Sequence, residues 1–353
     1  MVPAGFAIPG DIATLTGGYV YDRRVMHALR EAGRQVDHIQ LPASFPFPAS
    51  GDVAATMELL QRRDRLTPLI VDGLAFGAIP NDQVRALGGG IISLCHHPLG
   101  LESGLDPDQA RWFLDNEMRN SRTAAHVIVS SPTTAHTLVA DFDIPAEHIT
   151  IAEPGTDPMP RATGGHSDRV ELLAVGSLIE RKGYDILMQA LSELVGMRWR
   201  LHIAGSPDRS PETAAKVATL IGSLGLSGHV VLLGELPASE LAGLYAATDV
   251  FVLSSLYEGY GMVLAEAMAS GLAIVSATGG AAAATTPDDA ALKVPPGDPS
   301  ALREALRMAI EDRELRQRLS DASWRAGQKL PSWADTADTI ASVLDRVAGG
   351  IAR

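Results

Sequence analysis

With 353 residues, 46% of them apolar and 20% charged, the chain has material for two globular domains of ordinary size and is too apolar for disorder. Its formal net charge of −13 argues against a nucleic-acid partner, whose phosphates are held chiefly by basic surface. No apolar run reaches the roughly 18–20 residues that cross a bilayer, the start lacks the pattern of a secretion signal, and the single cysteine, Cys95, has no internal partner; a reducing cytoplasm is the expectation.

In chain order, the first half predicts short strands at 6–9, 35–41, 69–71, 91–95, 127–129 and 149–152, with helices at 21–32, 53–63 and 108–123 among them. The Pro- and Gly-rich stretch 154–165 punctuates the chain and marks a domain boundary. The second half is cleaner: strands at 170–175, 199–204, 230–233, 250–253 and 273–276 alternate with helices at 184–194, 211–224, 238–247 and 261–269. Such alternation implies βαβ units and parallel sheets. A last helix is expected over 333–347, after Leu330-Pro331-Ser332. The reading is therefore α/β, with one doubly wound domain over 1–161 and a second over 166–331. In such folds ligands bind beyond the carboxyl ends of the strands.

The most informative segment is Glu258-Gly259-Tyr260-Gly261-Met262-Val263-Leu264-Ala265-Glu266, which leaves an apolar strand and enters a helix. One carboxylate sits on the loop and the other about a turn into the helix. The glycines between them let backbone N–H groups approach a ligand at a helix start, where negative charge is favoured. That arrangement suits a ligand with hydroxyls at both ends and phosphates in the middle. Arg181 and Lys182, after strand 170–175, supply a two-pronged and a point charge for a diphosphate. Gly17 and Gly18, placed before the first long helix, offer further amides to a phosphate.

His96 and His97 end strand 91–95; adjacent strand side chains diverge, so both do not serve one metal, and His96 is taken as the residue facing the site. Asp72 and His97 are the acceptor-side candidates, with a helix cap for Asp72 and local packing for His97 equally open. Asp141-Phe142-Asp143 has the form of an acid-any-acid metal motif but falls on a connecting loop, and no metal is expected. Phe45-Pro46-Phe47-Pro48 is an apolar loop for an acceptor or for local packing. The local patch Arg62, Arg63 and Arg65 reads as a solvated helix end and allows peripheral membrane association at most.

Taken together, the residues resemble family 4 glycosyltransferases of the two-domain GT-B fold. The likeness runs through Gly17-Gly18, His96, the helix and strand over 117–131, Pro154-Gly155-Thr156-Asp157, Arg181-Lys182-Gly183, Glu258 to Glu266, Ser270-Gly271, Gly279-Gly280 and Val294-Pro295-Pro296-Gly297-Asp298. It departs at Ser177, where the family often has arginine, and at Ala283, where an acid is common. The resemblance implies two facing Rossmann-like domains, the C-terminal helix of about 332–353 returning to the first. It further implies transfer of a hexose from a nucleotide sugar with retention of configuration, without metal or other cofactor. Glu258 would bind donor hydroxyls, Gly259 to Val263 would offer amides, and Glu266 would hold the ribose. Arg181, Lys182, Gly17 and Gly18 would neutralise the diphosphate. His96 would orient the sugar and stabilise positive charge, and a UDP-sugar is preferred over GDP-mannose. The acceptor, a saccharide, lipid or small metabolite, is left open. The competing readings are a GT-B sugar phosphorylase and a catalytically silent nucleotide-sugar-binding protein.

Overall fold

A computed structural model describes residues 1–102, 104–165 and 168–351. Compactness divides the chain into Met1–Gly155 with the segment from Pro331 onward, and Thr156–Leu330.

The first unit holds strands β1 (Ala4–Pro9), β2 (Val36–Leu41), β3 (Leu69–Asp72), β4 (Ile91–Cys95), β5 (His126–Val129) and β6 (Ile149–Ile151). They form one parallel sheet in the order β2-β1-β3-β4-β5-β6. Its helices are α1 (Gly17–Glu31), α2 (Ser50–Gln61), α3 (Gly73–Phe76), α4 (Asn81–Ala86), α5 (Pro107–Thr123) and α6 (Pro132–Ala140). Strands β1, β3, β4 and β5 are buried throughout, as expected of a sheet covered on both faces.

One expectation is corrected here. Helix α1 starts at Gly17 rather than at 21, so Gly17 and Gly18 are its first turn rather than a preceding loop. Thr16 stands extended before it without a side-chain cap. The loop holding Phe45 and Phe47 divides its apolar side chains: Phe45 is buried, while Phe47 is exposed and stands edge-on to Phe113 at 5.7 Å.

The second unit contains β7 (Val170–Val175), β8 (Trp199–Ala204), β9 (Val230–Gly234), β10 (Val250–Leu253), β11 (Ala273–Ala277) and β12 (Ala291–Val294). The order is β12-β11-β10-β7-β8-β9, again parallel. Around it lie α7 (Tyr184–Ser192), α8 (Pro211–Ser223), α9 (Ala238–Ala246), α10 (Met262–Ala269), α11 (Ala282–Thr285), α12 (Pro299–Glu311) and α13 (Arg313–Gly327). The order in which strands are added reverses between β7 and β10, with β8 and β9 laid to one side and β11 and β12 to the other. That is the switch point at which a doubly wound sheet opens its binding crevice.

Helix α14 (Trp333–Ile351) belongs to the first unit. Its stripe Trp333, Ala337, Ile340, Leu344 and Val347 is buried at helical spacing. Trp333 packs edge-on against Tyr21 at 5.9 Å and beneath the Arg24 guanidinium at 5.2 Å. The Thr336 hydroxyl donates to the Glu153 carbonyl at 2.7 Å, and Arg34 bonds Asp345 at 2.9 Å. The C-terminal helix thus returns to the first unit. Among the described residues no helix is long and apolar enough to cross a membrane.

Two Rossmann-like parallel sheets with flanking helices give the chain the two-domain α/β architecture of the GT-B class.

Candidate active site

In the second unit, the loops after β7 and β10 are laced together at the switch point. Gly183 has a φ of +61°, and a Cβ there would lie 2.3 Å from the Ser254 carbonyl oxygen. Only glycine combines that backbone with that approach. The Ser254 hydroxyl donates to the Lys182 carbonyl at 2.8 Å, and the Leu256 N–H donates to that of Arg181 at 2.8 Å. The Glu258 segment is fixed on its other side: the Glu258 N–H donates to Gly279 at 3.1 Å, and the Ala281 N–H to Glu258 at 2.8 Å.

This lacing brings three of the expected residues into one cluster. Lys182 Nζ donates to Glu258 Oε1 at 2.6 Å. Arg181 Nη1 donates to the Tyr257 carbonyl at 2.7 Å and lies 3.5 Å from Glu258 Oε2. The Glu258 side chain is 8% exposed. Burial alone would raise its carboxyl, but Lys182 and Arg181 outweigh that and hold it below the usual range. A buried carboxylate is tolerated here because two cations on a different loop neutralise it.

Helix α10 begins directly after this cluster, behind Gly261 at φ +91°. Within it, the Leu264 N–H reaches back to Gly261 at 2.8 Å, while the amides of Met262 and Val263 belong to the open first turn. Tyr260 is buried, and its carbonyl accepts from the Thr285 hydroxyl at 2.5 Å. Its segment offers backbone rather than an exposed ring. Further along α10, Glu266 Oε2 accepts from the buried Tyr245 hydroxyl at 2.7 Å. Burial raises the Glu266 carboxyl, the Tyr245 bond opposes the rise, and the charge of Asp157 adds to it. Tyr245 was not foreseen; its signal was a tyrosine on the apolar face of a helix, whose hydroxyl must find a partner once buried.

The first unit supplies a different group. Ring carbon Cδ2 of His96 stands so near the α1 start that a Cβ on Gly18 would meet it at 3.3 Å. His96 Nε2 is 3.0 Å from Asp22 Oδ1 and 3.7 Å from Asp72 Oδ2. Both carboxylates are buried, at 1% and 3% exposure, whereas the His96 side chain is 23% exposed. Tyr21 meets the imidazole edge-on at 4.9 Å. Asp72 also caps α3, accepting from the Leu74 N–H at 3.0 Å.

The electrostatics differ accordingly. Burial and the neighbouring Asp22 charge push Asp72 up to about 7, against the pull of His96 and the Leu74 amide. Burial would lower His96, but Asp22, through its charge and hydrogen bond, and Asp72 reverse the sign and raise it. Asp22, like Tyr245, was not foreseen from the sequence. The available signal was an acid in the buried stripe Tyr21, Asp22, Val25, Met26 and Leu29 of α1.

His97 diverges from His96 as strand geometry requires: its Nε2 lies 4.0 Å from Glu102. Asp141 and Asp143 stand apart from these groups; Asp143 pairs with Arg122 at 3.2 Å and its side chain is 95% exposed. Among the described residues, Asp22, Asp72 and His96 are the set of metal-ligating side chains whose atoms all fall within 4.8 Å of one another.

Residues 157–325 match the family described as glycosyl transferases group 1. Mannosylfructose-phosphate synthase from Agrobacterium fabrum is 30% identical over 251 residues, 66% of this chain and 55% of that protein. The MMP alpha-(1->4)-mannosyltransferase of Mycolicibacterium hassiacum is 27% identical over 325 residues, 88% of this chain and 78% of its own length. The chain thus spans little more than half of the first relative. Among solved structures, sucrose-phosphate synthase from Thermosynechococcus elongatus superposes with a TM-score of 0.85 at 20% identity, covering 99% of this chain and 100% of that one. Anabaena HepE in complex with UDP-glucose does so with a TM-score of 0.76 at 16% identity, covering 97% and 99%. Fold, motif order and these similarities agree in likening the chain to family 4-like glycosyltransferases of the GT-B fold.

Proposed function

We propose that the protein transfers a hexose from a nucleotide sugar, UDP-linked in preference to GDP-mannose, to an acceptor hydroxyl with retention of anomeric configuration and without a metal. The observation that carries this reading is the Arg181, Lys182 and Glu258 cluster at the second unit's switch point, with the open start of α10 directly after it. Cations and amides gathered there suit a leaving diphosphate, whose charge grows as the glycosidic bond breaks.

Within this reading the second unit holds the donor. Lys182 and Arg181 meet the diphosphate, Gly259 to Val263 supply amides, Glu258 binds sugar hydroxyls and Glu266 the ribose. To the first unit the reading gives His96, beside the reacting sugar, with Gly17 and Gly18 for the phosphate and Asp72 and His97 for the acceptor. Pairing between Lys182 and Glu258 keeps both side chains ordered before a donor arrives, so little ordering is left for the moment of binding. The similarity to a mannosylfructose-phosphate synthase and to an alpha-(1->4)-mannosyltransferase supports a hexosyl donor and a saccharide-type acceptor. The UDP-glucose complex of the Anabaena protein supports the UDP preference.

The test offers UDP-glucose, UDP-galactose and GDP-mannose, each against a panel of saccharides, sugar phosphates and lipids. Products are detected by mass spectrometry and their anomeric configuration by NMR. A retained anomer formed equally well in EDTA is expected. An inverted product would refute retention, and loss of turnover in EDTA would refute metal independence. A donor seated away from Glu258 in a soaked crystal would end the reading.

A further inference from the structure

We propose that Asp22 is the positioning residue for His96: its carboxylate holds the imidazole proton on Nε2 and leaves Nδ1 to meet the sugar. The inference deepens the transfer reading and rests on it for the role of His96, but the geometry beneath it stands independently. Nε2 lies 3.0 Å from Asp22 Oδ1 and only 3.7 Å from Asp72 Oδ2, so the hydrogen bond is made to Asp22. A carboxylate accepts and cannot donate while ionised, so this contact selects the tautomer with its proton on Nε2.

The three elements that meet here fix the ring from different directions. Asp22 comes from α1, Asp72 from the end of β3, and His96 from the residue after β4. Tyr21, edge-on at 4.9 Å, and the backbone at Gly18 limit ring rotation. The His96 carbonyl accepts from the Ser130 hydroxyl at 3.3 Å and the Thr134 hydroxyl at 3.4 Å, tying its backbone to the loop after β5 and the first turn of α6. An imidazole so held has one nitrogen committed to the protein. Its second nitrogen is an acceptor with a negative group on the far side of the ring, suited to a sugar hydroxyl or to positive charge developing at the sugar.

Asp72 then has a distinct part. It shares the buried space with Asp22, and a proton retained on Asp72 can be donated to Asp22, so that two adjacent buried acids do not carry two charges. Other titratable groups near the set are Tyr21 on α1, His38 on β2, whose charge Asp22 favours, and Cys95 at the end of β4 with Glu117 on α5. Cys95 Sγ and the Leu99 N–H both reach Glu117, at 3.8 and 2.8 Å. That pair secures the chain beyond His96 and leaves the imidazole to Asp22.

The experiment combines a tautomer measurement with a kinetic one. Nitrogen NMR of the 15N-histidine-labelled full chain, free of substrate, should show His96 protonated at Nε2, with Nδ1 unprotonated in the neutral ring. Asp22→Asn should abolish that preference, lower kcat about 100-fold and move the donor KM by less than about 3-fold. A proton on Nδ1 in the wild type, or wild-type kcat in Asp22→Asn, would overturn the proposal. So would a divalent ion that shifts the His96 resonances and loses its effect in Asp22→Asn. Donor binding to Asp22→Asn is measured by calorimetry in parallel: if neither protein binds any nucleotide sugar, the transfer reading fails while the tautomer result still decides the inference. Should Asp22→Asn not fold, the wild-type resonances alone suffice.

Discussion

The two units meet one physical problem, a carboxylate taken out of water, and solve it in opposite ways. In the second unit Glu258 is neutralised by cations from another loop, Lys182 at 2.6 Å and Arg181 at 3.5 Å, and its carboxyl is held low. In the first, burial and the neighbouring Asp22 charge push Asp72 up to about 7, so a proton rather than a second cation moderates its charge as pH falls below neutrality. Two loops crossing at a switch point can exchange side chains of either sign, whereas α1 and β3 each deliver an acid to the same imidazole. The consequence is functional as well as structural: the cationic group suits a leaving phosphate, and the acid-rich one suits control of a proton on histidine.

The comparison is broken most directly at Lys182. Lys182→Ala is expected to lower kcat by about 10²–10³-fold, as removal of a preorganised charge partner of the transition state does. It should also cost more stability than Glu258→Gln, because a buried carboxylate then loses its nearest counter-charge while the amide needs none. Steady-state rates with each donor and thermal melts of both variants check this, and a Lys182→Ala protein with full activity would remove the second unit's site.

The pH dependence of stability should have opposite slopes for the two groups. Asp72, whose folded value is raised, binds its proton more tightly in the native state. Its contribution is present at acid pH and is lost as pH rises from about 4 toward 7. Glu258, whose folded value is depressed, contributes above the ordinary carboxylate range, and that contribution is lost as pH falls through the folded value. Denaturant unfolding between pH 4 and 8 should show a declining component in the wild type that Asp72→Asn reduces. Glu117, raised to about 8 by burial, declines in the same direction and would persist in that variant.

A smaller effect sharpens the reading of Glu266. Tyr245→Phe removes one buried hydrogen bond, worth about 1 kcal/mol, so the donor KM should rise by about 3–10-fold with kcat little changed. If kcat falls instead, Glu266 acts on the reacting state rather than on nucleotide binding. The smallest effect is expected at the acids outside both groups: Asp141→Asn and Asp143→Asn should leave kcat and KM within about 2-fold, since exposed charges like that of Asp143 contribute little.

Much of this was legible in the chain itself. Strand and helix positions in the second half followed from alternating apolar runs, and glycines at a helix start marked the Glu258 to Glu266 segment as a candidate for phosphate binding. The start of α1 was not legible, because a glycine pair fits a loop and a first helical turn equally well. Asp22 was hidden for a related reason: a single acid on a helix reads as solvated unless its neighbours Tyr21, Val25 and Leu29 are recognised as a buried stripe. Tyr245 was hidden because its hydroxyl's partner lies 21 positions further along the chain.

Residue order and type alone determined the α/β class, the alternation of the parallel sheets, the candidate loops and the candidates His96, Lys182, Arg181, Glu258 and Glu266, because local periodicity and glycine placement act over a few residues. Only the tertiary structure decided that Lys182 grips Glu258, 76 positions away, and that Asp22 reaches His96 across 74. Strand order sets those distances, and it is fixed by packing of the whole sheet rather than by any local stretch.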